Sequence, residues 1–363
     1  MFGILKRGLL AACLLAGAGC SRGPSAVTPH LKEPFPKKLS EWHLFTGNGA
    51  DLKPNAGVVP YDLNSPLFSD YAAKQRTVWM PAGKSAVYDP VKTFQFPTGT
   101  IISKSFSFND RVVETRLLVN TAEGWVPLPY VWNGDRTEAF LEIAPDAEKI
   151  EYHHPSGETI QVDYLIPNVN QCKNCHENAK VSAPIGPRAR HLNKDYTYPD
   201  GTTANQLVYW TKAGYLTGAP ADPKDAPRLA VWNDPKSGTL DERARAYLDI
   251  NCAHCHNPDG PGNTSGLNLS ALQNNMVAMG ECKTPVAAGR GSGNLRFAIL
   301  PGKPDESILA YRMASVEPKV MMPELGQSVV HREGLALIRE WISSMKGNCS
   351  ATATSAQAMD RSR

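Results

Sequence analysis

The pattern Cys-x-x-Cys-His occurs twice, as CKNCH at 172–176 and as CAHCH at 252–256, with the two copies 80 positions apart. On a helical turn residues i and i+3 share a face. Both thiols of one copy therefore reach the two vinyl groups of one porphyrin edge, and the following residue brings its imidazole under the iron; this spacing is the attachment signature of c-type haem. With 8 Cys and 9 His in 363 residues, random placement gives about 0.004 such pentapeptides per chain, so two copies lie far outside chance. Cys172, Cys175, Cys252 and Cys255 are the expected thioether residues of two haem c groups, and His176 and His256 the expected iron ligands. The main rival is a zinc site made from both cysteine pairs, which their separation places well beyond the usual ribbon spacing. Thioredoxin-like chemistry has no use for a histidine after each second cysteine.

The N-terminus reads as an export signal over 1–19: MFGILKRG, then the apolar run LLAACLLAGAG. Cys20 follows Gly-Ala-Gly and is the expected lipidation site, which would anchor the mature chain to a membrane; simple secretion without a lipid is the alternative. Covalent haem attachment belongs to the oxidising side of a bacterial membrane, so the expected location is the periplasm, with the lipoprotein tethered to the outer membrane. Residues 20–37 are Pro-rich and polar, a tether, and 350–363 is a low-complexity tail expected to be disordered. After the signal no long apolar run remains to cross a bilayer. A net charge of +3 without basic blocks excludes nucleic acid as an expected partner.

The expected fold class is α+β. Residues 38–167 form an N-terminal antiparallel β domain, sandwich-like, because TVWMP, GTIISKSFSF, ETRLLVN, WVPLPYVWN and TIQVDYLIP are short period-two runs separated by turn residues. Short helices are expected in LSEWHLF, with Ser40 as N-cap, and in PLFSDYAAKQR. Residues 168–235 make a first haem-binding segment, mainly helical, with its clearest helix over 202–216. Residues 236–349 make the second haem domain. There TLDERARAYLDIN has capping-box spacing at Thr239 and Glu242, and HREGLALIREWISSM carries an amphipathic stripe.

Met322, in VMMPELG, is the expected sixth ligand of the second iron, since a thioether ligand raises the potential; adjacent Met321 is the alternative. Arg290, Arg296 and Arg312 are candidate partners for haem propionates. His254, inside the motif, is expected to face solvent. For the first iron the sixth position is open among His191, a residue of the β domain such as His153, His154 or Met80, a residue of the C-terminal domain, and no ligand, and the run PIGP at 184–187 is the expected carbonyl partner of His176. The leftover Cys282 and Cys349 are a candidate disulfide, two unpaired thiols being the alternative.

PYDLNSPLFSDYA, FPTGTIISKSFSF, NQCKNCHE, PIGPRARHLN, INCAHCHNPDGPGNTSGL, PVAAGRGSG and VMMPELG together resemble a bacterial family of exported di-haem c-type cytochromes, and the C-terminal part resembles class I cytochrome c. The resemblance implies haem binding and electron transfer, with no known substrate. The expected function is periplasmic electron transfer through two covalent haems to a redox protein partner, favoured over an enzymatic role. The alternatives are a peroxidase- or oxidase-type enzyme with an open first haem, and a haem-containing ligand-binding or sensor protein.

Overall fold

The apolar runs between 59 and 141 pair into one antiparallel sheet whose strands follow chain order: β1 (Val59–Tyr61), β2 (Ala73–Trp79), β3 (Ile101–Phe108), β4 (Arg111–Thr121), β5 (Gly124–Trp132) and β6 (Ala139–Leu141). The architecture is that of a computed structural model, which describes residues 25–349 apart from 50, 143, 145, 180 and 287. The expected signal peptide, Cys20 and the tail 350–363 lie outside the described residues. Asn109 and Asp110, with φ of 46° and 60°, link β3 to β4 by the tight turn that two left-handed residues permit. A separate hairpin follows, β7 (Asp146–His153) and β8 (Thr159–Ile166).

One face of the sheet packs Leu117, Leu128 and Tyr130 on Trp42 and Leu44, and Trp42 Nε1 donates to the Tyr130 hydroxyl at 2.7 Å. At one end of the opposite face Val78, Ile102 and Leu118 pack on Leu192, Leu207 and Trp210. At the other end Phe106 packs on Val162 and Tyr164 of the hairpin. Burial on both faces explains why β4 is nearly continuously buried rather than alternating. The layer opposite this sheet is thus a hairpin plus the chain after the first motif, instead of the second large sheet that a sandwich requires. For the same reason 38–167 and 168–235 share a core, and Ala86–Val87 even pairs in parallel with Leu216–Thr217.

Two local expectations give way to tertiary contacts. PLFSDYAAKQR forms a turn and then β2, because Asp70 and Tyr71 take left-handed φ and the Asp70 carboxylate accepts from the backbone of Ser328 and Val329. In LSEW only a 3-10 turn forms, Leu39–Trp42, capped from Lys38, while Ser40 Oγ donates to Glu138 instead.

Beyond the sheet the helices are fewer and shorter than expected: α1 (Val169–His176), α2 (Gln206–Lys212), α3 (Leu240–Asn251), α4 (Ile308–Met313) and α5 (Arg332–Ser344) are joined by turns and short strand pairs. Helix α3 starts at the Thr239/Glu242 capping box. Its Ala244 and Leu248 pack with Ile338, Trp341 and Ile342 of α5. Gly334 permits the close crossing, since a Cβ there would stand 2.4 Å from the Tyr247 ring. Cys282 and Cys349 are disulfide-bonded.

A buried ionic cluster joins the two halves. Asp249 of α3 accepts from Arg190 through Nε at 2.9 Å and Nη2 at 3.1 Å, and from His191 Nε2 at 2.7 Å. Burial alone would raise the Asp249 carboxyl; the hydrogen bond and charge of His191 and the charge of Arg190 outweigh it and hold the group well below the usual carboxylate range. A carboxylate held low in the fold stabilises it above the unfolded value, near 3.9, and that contribution is lost as pH falls through the unfolded value toward the folded one. Asp249→Ala, which strands a buried Arg190, is expected to cost about 3–5 kcal/mol and to flatten the loss of stability below about pH 4; urea midpoints measured across pH check both.

Candidate functional site

The hairpin β7–β8 leads directly into α1, whose last turns carry Cys172, Cys175 and His176. The second copy starts where α3 ends: Cys252 is its C-cap, and its carbonyl accepts from the Cys255 and His256 amides at 3.1 and 2.9 Å, closing a tight turn over the motif.

Both motif histidines are held by one ring nitrogen. His176 Nδ1 lies 3.1 Å from the carbonyl of Ala183, the residue just before the PIGP run that was the expected partner; the chain reverses through a short strand pair, Glu177–Asn178 with Val181–Ser182, and so presents the earlier carbonyl. His256 Nδ1 lies 3.0 Å from Ser265 Oγ, which itself donates to the Gly262 carbonyl at 2.6 Å. Each contact assigns the proton to Nδ1 and leaves Nε2 as a bare lone pair, the tautomer that a metal-ligating imidazole requires. Burial pushes both imidazoles down to about 4, so both are neutral at pH 7.

The motifs line two adjoining clefts, with Cys175 and His254 in the wall of both. The first, of about 220 Å³, is walled by Cys172, Cys175 and His176 with Leu118, Ile185 and Pro187. The second, of about 510 Å³, is walled by Cys252, Cys255 and His256 with Leu267, Leu269 and Met322. Met322, rather than Met321, stands in that wall. The second falls in the size range of small-molecule sites and the first below it. Arg312 also lines the second cleft, its Nε donating to the Val320 carbonyl. Arg290 pairs with Glu317 and Arg296 lies over the Phe297 ring, so the structure puts neither at the cleft.

The two motifs meet. Ligand atoms of Cys175, His254 and Cys255 all lie within 4.8 Å of one another. A hydrogen bond between the two sulfurs favours one shared proton, pulling Cys175 below the ordinary thiol range and pushing Cys255 above it. His254 therefore faces the other motif instead of solvent, and its Nδ1 is buried without a hydrogen-bond partner, because the Ala179 amide bonds the Asp259 carbonyl and closes one loop over the other. Separation along the chain is consequently no argument against a shared metal ion: as free thiols these three side chains form a three-ligand set of the kind zinc accepts.

Of the residues named for the first iron's sixth position, only His191 stands in the wall of the first cleft. Its Nε2 is committed to Asp249, and its Nδ1 has no partner. Met80 is buried in the sheet core, His154 pairs with Glu333, and exposed His153 lies beside Thr159. Sequence reasoning missed a set of cations in the first cleft, Arg76, Lys104 and Arg116. Only strand register, which no single segment reveals, brings them together.

Comparison with known proteins returns no matching family model, no similar curated protein and no similar solved structure.

The contact between motifs is open to a direct check. Mild oxidation of chain produced without cofactor is expected to link Cys175 to Cys255, giving a tryptic peptide pair that spans both motifs; disulfides confined within each motif would contradict the geometry.

Proposed function

We propose that this protein is a di-haem c-type cytochrome that carries electrons through two adjacent haem groups. Cys172 and Cys175 would hold one and Cys252 and Cys255 the other, with His176 and His256 as iron ligands and Met322, in the wall of the second cleft, as a further ligand to the second iron. The observation that carries the reading is the convergence of the motifs: two attachment signatures distant in sequence line adjoining clefts and touch through Cys175 and Cys255. A c-type haem supplies one-electron chemistry, with a potential set by its axial ligands and burial.

The chain's own residues are arranged for that role. Ala183 and Ser265 fix the two imidazoles, as outer partners of metal-bound histidines do. The apolar walls exclude water, which keeps both ring nitrogens neutral. Packing of α3 on α5 around the second motif supports a class I cytochrome c-like domain over 236–349. The same reading places the protein in the periplasm, held to the outer membrane by a lipid on Cys20, with a redox protein as its partner.

The alternative of a di-haem redox enzyme draws on one feature, that no methionine is among the described residues walling the first cleft. Carbon monoxide or cyanide would perturb an open iron readily, whereas two six-coordinate low-spin spectra would exclude that reading.

Protein matured in a host competent for haem attachment is expected to retain two equivalents of haem after denaturation, and Cys172→Ala/Cys175→Ala to retain one. Zinc in place of iron by metal analysis, or no bound haem, would overturn the proposal. Met322→Ala is expected to lower the potential of one haem only and to abolish its methionine-to-iron absorption band; redox titration with optical spectra reads both.

A further inference from the structure

Three neighbouring strands carry three cations in register. Arg76 of β2 stands directly opposite Lys104 of β3, and Lys104 directly opposite Arg116 of β4. Like charges directly opposite one another destabilise a sheet. The next row on the same face is Val78, Ile102 and Leu118, all buried, so the cations do not belong to an open, solvated face. All three line the first cleft with Cys172 and His176.

The protein neutralises this row only in part. Glu114 holds Arg116 through both its carboxylate oxygens, and Asp62 lies 3.1 Å from Arg76 Nη1. Arg76 is only 4% exposed, yet its Nη2 is buried with no hydrogen-bond partner. Lys104, in the middle, has no hydrogen bond or ion pair among the described residues; its ammonium stands 4.7 Å from the centroid of the Phe106 ring. Burial, followed by the charges of Arg76, Lys74 and Arg116, pushes that ammonium well below the ordinary lysine range. Arg76 is buried and Lys104 half-buried; cations so poorly hydrated and incompletely paired are costly, and a ligand that brings a negative charge relieves the cost.

We infer that Arg76, Lys104 and Arg116 form a binding site for a carboxylate or comparable oxyanion on the sheet wall of the first cleft. Two sources offer that chemistry. One is the propionate edge of a haem carried by Cys172 and Cys175, in which case the inference deepens the haem reading and rests on it. The other is a free small anion taken up beside that group. In both cases Lys104 is the residue whose charge the fold leaves unmatched, so its removal separates binding from folding.

The test uses the full-length matured protein. Haem is counted first, because its absence bears on the electron-carrier reading alone. Inorganic phosphate and oxalate are then titrated against wild type, Lys104→Met, Lys104→Gln and Lys104→Arg, and thermal midpoints and both reduction potentials are recorded. If the anion is free, Lys104→Met is expected to melt, without added anion, at or above the wild-type temperature, since it deletes an uncompensated cation; if the propionates occupy the site, it strips them of a partner and melts lower. If the anion is free, wild type binds one of the probes saturably, Lys104→Met and Lys104→Gln weaken that binding about tenfold, and Lys104→Arg retains it. If the propionates are the occupants, no probe binds saturably, but Lys104→Met and Lys104→Gln lower one reduction potential and leave the other unchanged. Unaltered anion titrations together with unaltered potentials in both variants would overturn the site. So would melting of both variants well below wild type with both potentials and anion binding unaltered, which would make Lys104 a structural residue, and so would absence of saturable anion binding in a chain that carries no haem.

Discussion

One buried carboxylate sets the relation between the two halves of the molecule. Asp249 lies three residues before Cys252, and its partners Arg190 and His191 follow the first motif at the turn Ala189–Leu192. Both oxygens are occupied by charged or polar donors, and Oδ1 also accepts from the Ala271 amide. Breaking a buried pair of this kind leaves a naked charge in the core, which is why such clusters admit few alternative dockings. The end of α3, and with it the second motif, is thereby fixed against the wall of the first cleft.

Much of this architecture was legible in local sequence. The capping box at Thr239 and Glu242, the amphipathic stripe of α5, the alternating run of β8 and the β-branched, aromatic-rich runs of β3, β4 and β5 each specify their element within a single segment, so reading them needs no knowledge of what packs outside. PLFSDYAAKQR misled because its helical propensity lost to a turn pinned by Asp70 from the far end of the chain. The sandwich expectation failed on a similar ground. Alternation within a strand announces a buried face, but not that the covering layer arrives from residues 189–226.

The candidate site divides along the same line. The motif cysteines and histidines are recognisable because their spacing is itself the chemistry, and Met322 because it precedes a proline in a run that points to one cleft. What lies between the motifs was hidden: the contact of Cys175 with Cys255, the inward turn of His254, and the row formed by Arg76, Lys104 and Arg116 all depend on which segments meet in space. Within their own strands the three cations read as ordinary solvated positions. Only when β2, β3 and β4 align does their shared face show a charge excess that apolar neighbours enclose.

The shared core of the sheet and the post-motif segment also ties the first motif to the chain on both sides of it. Cys172 and Cys175 sit between two stretches of chain, one ending at β8 and one beginning at Ala189, that close on each other through Leu207, Trp210 and the parallel pair at Leu216–Thr217. Neither stretch covers its apolar side without the other, so the walls beside those sulfurs exist only where the two stretches meet. A substitution in the Leu207 and Trp210 packing is thus felt at the first cleft as well as in the core.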